Sequence, residues 1–74
     1  MERTQIAGIT PNPESVAITL TQDGEYTEAV LWFGAVEGKW WARDIVTCAD
    51  PQDARKCARR WKRTYKHAVV EDLL

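Results

Sequence analysis

The chain has 74 residues, of which 45% are hydrophobic and 28% are charged, and its net charge is −1. A globular chain of this size buries only about 60% of its unfolded surface, so we expect one small domain over residues 1–74 and no enzyme with an enclosed substrate cleft. No apolar run approaches the roughly 20 residues that cross a bilayer, and no signal-peptide pattern opens the chain, so we expect a cytoplasmic protein that does not contact a membrane.

Strand-forming segments alternate with turn signals over the first two thirds of the chain. The segments are residues 4–10, 15–21, 26–36 and 39–46, the first being the least regular. The turn signals are Pro11-Asn12-Pro13, Asp23-Gly24 and Glu37-Gly38. Together they predict a three- or four-stranded antiparallel meander over about residues 4–47.

The register of this sheet follows from two hairpin turns. If Asp23-Gly24 and Glu37-Gly38 are both two-residue turns, the registers that they dictate put the same apolar residues on one face. That face comprises Val16, Ile18, Leu20, Ala29, Leu31, Phe33, Ala35, Trp40, Ala42 and Val46. The opposite face comprises Ala17, Thr19, Thr21, Tyr26, Glu28, Val30, Trp32, Trp41, Arg43 and Ile45.

Beyond the strands the hydrophobic pattern becomes helical. Asp50 suits a helix N-cap, Pro51 suits the first turn, and Asp53 complements the helix dipole. Ala54, Cys57, Ala58, Trp61, Tyr65, Ala68 and Val69 then form one apolar stripe at helical spacing. The predicted fold is therefore α+β, with one long C-terminal helix over about residues 51–71 packed on the apolar face of the sheet.

Charge is distributed unevenly along the chain. Residues 1–54 carry nine acids and three bases, whereas residues 55–70 carry seven bases and no acid. The arc of the predicted helix that faces away from the sheet holds Arg55, Lys56, Arg59, Lys62, Arg63 and Lys66. Such a stripe attracts phosphate backbones or acidic protein surfaces, and an ordinary solvated helix face is the alternative.

The sheet face turned away from the helix is the second candidate surface. Tyr26, Trp32, Trp41 and Arg43 on that face are residue types enriched at interaction hot spots. They predict a site for a protein partner, or a homodimer interface if the protein is not a monomer. Two alternatives are burial of this face beneath the N-terminal segment and a strand register other than the one predicted.

Catalytic and metal-binding patterns are weak. Cys48, Cys57 and His67 fall short of the four ligands of a structural zinc site, and two cysteines do not make a disulfide framework. We expect reduced thiols, with a disulfide or a redox role as the alternative. His67 is the only histidine and the glycines form no phosphate loop, so we predict no catalytic residue, no metal and no cofactor.

The segment VAITLTQDG (16–24), followed by EGKWWARDI (37–45) and a helix, resembles the layout of some small phage-encoded anti-CRISPR proteins. The resemblance covers about residues 15–65. It implies a non-enzymatic inhibitor that docks on a Cas effector complex in the host cytoplasm and blocks its access to target DNA.

The order of three strands and a helix is also similar to plant AP2-type DNA-binding domains and to the arm-binding domains of phage integrases. That resemblance implies a sheet set into the major groove, with Trp32, Trp41, Lys39 and Arg43 on the reading face. Glu28 on that face and the small number of bases depart from the pattern. The alternative function is therefore a small DNA- or RNA-binding domain that uses the basic helix.

Overall fold

A computed structural model of the chain describes residues 2–74. Over these residues the elements are β1 (Glu2–Arg3), β2 (Val16–Asp23), β3 (Tyr26–Gly34), β4 (Trp40–Cys48), α1 (Pro51–Thr64) and β5 (Val69–Asp72). They form a five-stranded sheet in the order β1-β4-β3-β2-β5, in which β5 pairs parallel with β2 and the other pairs are antiparallel. The predicted α+β class is confirmed. The prediction of a purely antiparallel sheet of three or four strands is wrong, because the sheet has a fifth strand, β5, that pairs parallel with β2. The helix is not C-terminal, because β5 follows it.

The helix begins where it was predicted and ends earlier. The Asp50 carboxylate accepts a hydrogen bond of 2.9 Å from the backbone N–H of Asp53, which caps α1. The helix stops at Thr64 rather than near residue 71. The chain then turns and pairs Val69 and Val70 with β2, so α1 connects two strands that run in the same direction, β4 and β5.

The β2–β3 turn lies one residue later than predicted. Asp23 pairs with Tyr26, so the turn residues are Gly24 and Glu25. Gly24 has a φ of +61°, a conformation that glycine adopts without steric cost. Each β2 residue therefore pairs with a β3 residue two positions further along the chain than predicted. Because strand side chains alternate with a period of two, every side chain on these strands keeps its predicted face.

A β-bulge interrupts the pairing of β3 with β4. Leu31 pairs with Asp44 as predicted, but Trp32 pairs with Ala42, so Arg43 is an extra residue on β4. Because strand side chains alternate between faces, one extra residue inverts every side chain on the N-terminal side of the bulge.

The bulge explains three wrong assignments. Trp40 and Ala42 pack on the face away from α1, although they were predicted to face the helix. Trp41 pairs with Phe33 and therefore lies on the helix side, although it was predicted to lie on the opposite face.

The main core lies between α1 and the sheet and uses most of the predicted apolar face. Its buried members are Ile18, Leu20, Ala29, Leu31, Cys48, Ala54, Cys57, Ala58 and Ala68. Val16, Phe33, Val46, Trp61, Tyr65 and Leu74 pack around them. Six of the seven residues predicted to line the helix stripe therefore belong to this core, although Tyr65 and Ala68 lie beyond the end of the helix. Val69 was assigned to the stripe wrongly: it belongs to β5 and pairs with Ala17, which lies on the other face of the sheet.

A second cluster lies on the other face of the sheet, where residues 4–15 cover it. Its buried members are Ile6, Ala17, Val30, Trp32 and Trp40. Residues 4–10 do not form the predicted strand; Ile6 and Ile9 instead close a tight turn with two backbone hydrogen bonds. Gly34 permits the close approach of this segment, because a Cβ there would collide with the carbonyl oxygen of Asn12.

Candidate functional site

The predicted partner-binding residues do not form one surface. Trp32 is only 2% exposed, because the N-terminal segment covers it. Its indole N–H donates a 2.9 Å hydrogen bond to Thr19 Oγ1, and the Arg3 guanidinium lies 5.9 Å from its ring centre. The prediction of Trp32 as an exposed anchor is therefore wrong, and the alternative of burial beneath the N-terminal segment is correct.

Tyr26, Trp41 and Arg43 are exposed, but in different places. Tyr26, 57% exposed, lies beside the β2–β3 turn on the face away from α1. Trp41, 46% exposed, and the bulge residue Arg43 lie near the other end of the sheet. At about 3.3 Å per residue along β3, Tyr26 is roughly 20 Å from the position of Trp32, which pairs beside the bulge. The structure therefore groups Trp41 with Arg43 and separates both from Tyr26.

Two members of the predicted basic face hold the fold together. Arg55 Nε donates to the carboxylate of Asp72 on β5 at 3.1 Å. Lys62 Nζ donates to the carbonyl oxygens of Lys66 and Ala68, at 3.1 and 3.0 Å, and so closes the turn between α1 and β5. These two side chains connect the helix to the fifth strand rather than projecting freely.

The other cations of this region project into solvent. Lys56, Arg59, Arg60 and Arg63 on α1 and Lys66 just after it are exposed and form no ion pair with any of residues 2–74. We call these five residues the basic stripe. Arg60 was not assigned to the basic face from the sequence; on an ideal helix wheel it lies at the edge of that arc.

Two of the three basic side chains that precede the helix form ion pairs. Arg3 pairs with Glu71 and Lys39 pairs with Glu2, at 3.1 and 3.3 Å. Arg43 is exposed and forms neither an ion pair nor a side-chain hydrogen bond within residues 2–74, whereas Lys62 has no ion pair but donates to backbone carbonyls. Lys56 and Arg63 are separated by about 10 Å along the helix axis, at 1.5 Å per residue. The unpaired positive charge is therefore concentrated on one short helix surface.

A groove runs beside the C-terminal half of α1. It has a volume of about 420 Å³ and is lined by Leu31, Arg43, Asp44, Trp61, Thr64 and Tyr65. We call it the aromatic groove. A neighbouring groove shares Asp44 and Trp61 with it and extends past Arg60 and Lys56 toward the start of the helix.

The two cysteines line that neighbouring groove but are poorly suited to nucleophilic chemistry. Both are buried free thiols. Desolvation raises the pKa of Cys48 and of Cys57, and the negative charge of Asp53 further raises that of Cys48. A raised thiol pKa keeps the sulfur protonated near neutral pH, where the thiolate is the reactive form.

Residues 2–74 contain neither a cluster of metal ligands nor a helix that could span a membrane. Within this range there is no group of three or more His, Cys, Asp or Glu side chains that could hold a metal ion. None of the helical structure described is long and apolar enough to cross a membrane.

Comparison of the chain with protein-family models, with curated proteins and with solved structures finds no match. The resemblances to anti-CRISPR proteins and to AP2-type and integrase domains therefore stay predictions.

Proposed function

We propose that this is a non-enzymatic nucleic-acid-binding protein that contacts phosphates through the basic stripe. One observation carries the proposal: the fold engages Arg3, Lys39, Arg55 and Lys62 in internal contacts, while the stripe cations stay exposed and without ion pairs among residues 2–74. Solvated helix faces commonly mix acids with their bases. Between Ala54 and Val70 this chain has none.

The charge spacing supports phosphate as the ligand. Lys56, Arg59 and Arg63 lie on one side of α1 within about 10 Å, a length over which one strand of B-DNA presents about three phosphates. Three stripe residues are arginines, whose planar guanidinium can donate two hydrogen bonds to one phosphate.

The sheet is a poorer candidate for contact with DNA. Residues 4–15 cover the face that an AP2-type domain would place in the major groove, and Trp32 is buried beneath them. We therefore assign nucleic-acid contact to α1 rather than to the sheet.

The test is fluorescence anisotropy with labelled oligonucleotides over a range of salt concentrations. We expect binding at low salt and a plot of log affinity against log salt with a slope of about −3 to −4, because each neutralised phosphate contributes about −0.9 on duplex DNA. Arg59→Ala should weaken binding and flatten the slope by about one. Lys39→Ala is the matched control, since it removes one positive charge from a site outside the stripe. An absence of binding at low salt, or equal losses in both variants, would contradict the proposal.

A second candidate is the inhibitor implied by the anti-CRISPR resemblance, which would dock on a Cas effector complex and block target DNA binding. The exposed Trp41 next to Arg43 favours it, because tryptophan and arginine are frequent hot-spot residues. In this case the protein has no affinity for bare nucleic acid at low salt, and Trp41→Ala abolishes inhibition without unfolding the protein. The anisotropy experiment therefore separates the two candidates.

A further inference from the structure

The aromatic groove lies directly beside the basic stripe. The stripe residue Arg60 lines the neighbouring groove, which shares Asp44 and Trp61 with the aromatic groove. Thr64, which lines the aromatic groove, lies four residues after Arg60 and therefore on the same side of α1, so phosphates held at Arg60 lie next to the groove.

Aromatic side chains continue from the groove onto the start of β4. Tyr65 packs edge-on against Phe33, with ring centres 5.4 Å apart. Trp41 pairs with Phe33 across the strands and projects to the same face. Because α1 ends at Thr64, the helix does not cover Trp41, and 46% of that residue remains exposed.

Polar groups around these rings suit a nucleotide. Arg43 is exposed and has no ion pair among the described residues, so it can contact a phosphate. The Asp44 carboxylate also lines the groove and can accept hydrogen bonds from the amino group of a base. These groups match the parts of an unpaired nucleotide: the rings can stack on the base, the cation can contact the phosphate and the carboxylate can accept from the edge of the base.

We propose that the aromatic groove and Trp41 bind bases of a single-stranded nucleic acid, while the basic stripe holds the flanking phosphates. This inference rests on the proposed function and narrows its substrate class. In a duplex the faces of the bases are stacked on one another, so a duplex offers the stripe its phosphates but offers the rings nothing to stack on.

The experiment compares three labelled ligands of equal length at one low salt concentration: a 12-nucleotide strand, its duplex and an abasic strand. The wild type should bind the strand most tightly. Trp41→Ala should weaken binding of the strand about tenfold and leave the abasic strand unchanged, because stacking on one aromatic ring supplies an affinity of that order. Trp41→Phe keeps a ring and should retain most of the affinity. Tyr26→Ala, which removes an exposed ring from the other face, is the matched control.

The outcomes distinguish this inference from the proposed function. If the duplex and the abasic strand bind as tightly as the intact strand, or if Trp41→Ala weakens all three equally, base stacking is refuted while phosphate binding stands. If none of the three binds, both proposals fail. Should Trp41→Ala lose its fold by circular dichroism, Trp41→Leu, which keeps an apolar side chain but has no ring, provides the second measurement. It should weaken binding of the intact strand several-fold and leave the abasic strand unchanged, and equal losses on both strands would refute stacking.

Discussion

Arg3 and Glu71 form a 3.1 Å ion pair although they lie on strands at opposite ends of the sheet, β1 and β5. Glu71 also accepts a 2.6 Å hydrogen bond from the backbone N–H of Ala7, and Arg3 lies over the ring of Trp32. The sheet is therefore curved enough for the side chains of its two edge strands to meet across the face away from α1, in keeping with the added twist that a bulge gives a strand.

Removing the Glu71 carboxylate should destabilise the protein. Glu71→Ala loses a charge-assisted hydrogen bond to Arg3 and the bond from Ala7, for which we expect a loss of about 2 kcal/mol in the free energy of unfolding. Urea denaturation measures it. Glu25→Ala, in the exposed β2–β3 turn, is the control and should change stability by less than about 0.5 kcal/mol. Equal stability of the two variants would show that the edge-to-edge contact is weak.

The same carboxylate predicts how stability depends on pH. Hydrogen bonds from Ala7 and Arg3 lower the pKa of Glu71 in the folded protein. Because the folded pKa lies below the unfolded one, the stabilisation is present above the unfolded pKa, about 4.3, and is lost as the pH falls through the folded value. Urea denaturation of wild type and Glu71→Gln should therefore show a difference in stability at pH 7 that shrinks toward pH 3. A difference that stays constant or grows on acidification contradicts this assignment.

The two tryptophans Trp32 and Trp41 should differ sharply in their effect on stability. Trp32→Ala leaves a cavity in the second cluster and should cost about 3–5 kcal/mol, enough to unfold a domain of this size. Trp41→Ala removes a half-exposed ring and should cost about 1 kcal/mol or less. Thermal denaturation followed by circular dichroism measures both. Similar losses in the two variants would mean that Trp41 belongs to the core.

The part of the fold that the sequence predicts rests on local signals. The Asp50 cap with Pro51 marks the start of the helix, and alternation fixes the faces of β2 and β3. The position of the β2–β3 turn was wrong by one residue, yet no side chain changed face, because alternation has a period of two.

The parts that were wrong depend on contacts that local patterns do not encode. The segment WWARDIV contains no sequence signal for the bulge at Arg43. Its apolar residues occupy both faces of the strand, so either register buries a tryptophan. Ala68 and Val69 suit a helix stripe as well as a strand, so pairing with β2 decides between them. Residues 4–15, which cover Trp32, have no regular hydrophobic period, so the sequence does not predict where they pack.

The basic surface was predictable in charge but not in the role of each residue. The run of bases in residues 55–70 identifies the surface from the sequence, and Arg60, which was left out of the predicted basic face, belongs to it in the structure. The contacts of Arg55 with Asp72, and of Lys62 with backbone carbonyls, require the fifth strand and could not be anticipated without it.

Lys62 and Arg63 are neighbours in the last turn of α1, and they should separate stability from binding. Lys62→Ala loses hydrogen bonds to the carbonyls of Lys66 and Ala68 and should cost about 1–2 kcal/mol in the free energy of unfolding. Arg63→Ala should stay within about 0.5 kcal/mol of wild type and yet weaken oligonucleotide binding by about fivefold at low salt. Urea denaturation and anisotropy on the same two variants measure both effects. If Lys62→Ala weakens binding as much as Arg63→Ala does, the surface acts through net charge alone and the stripe has no defined contact geometry.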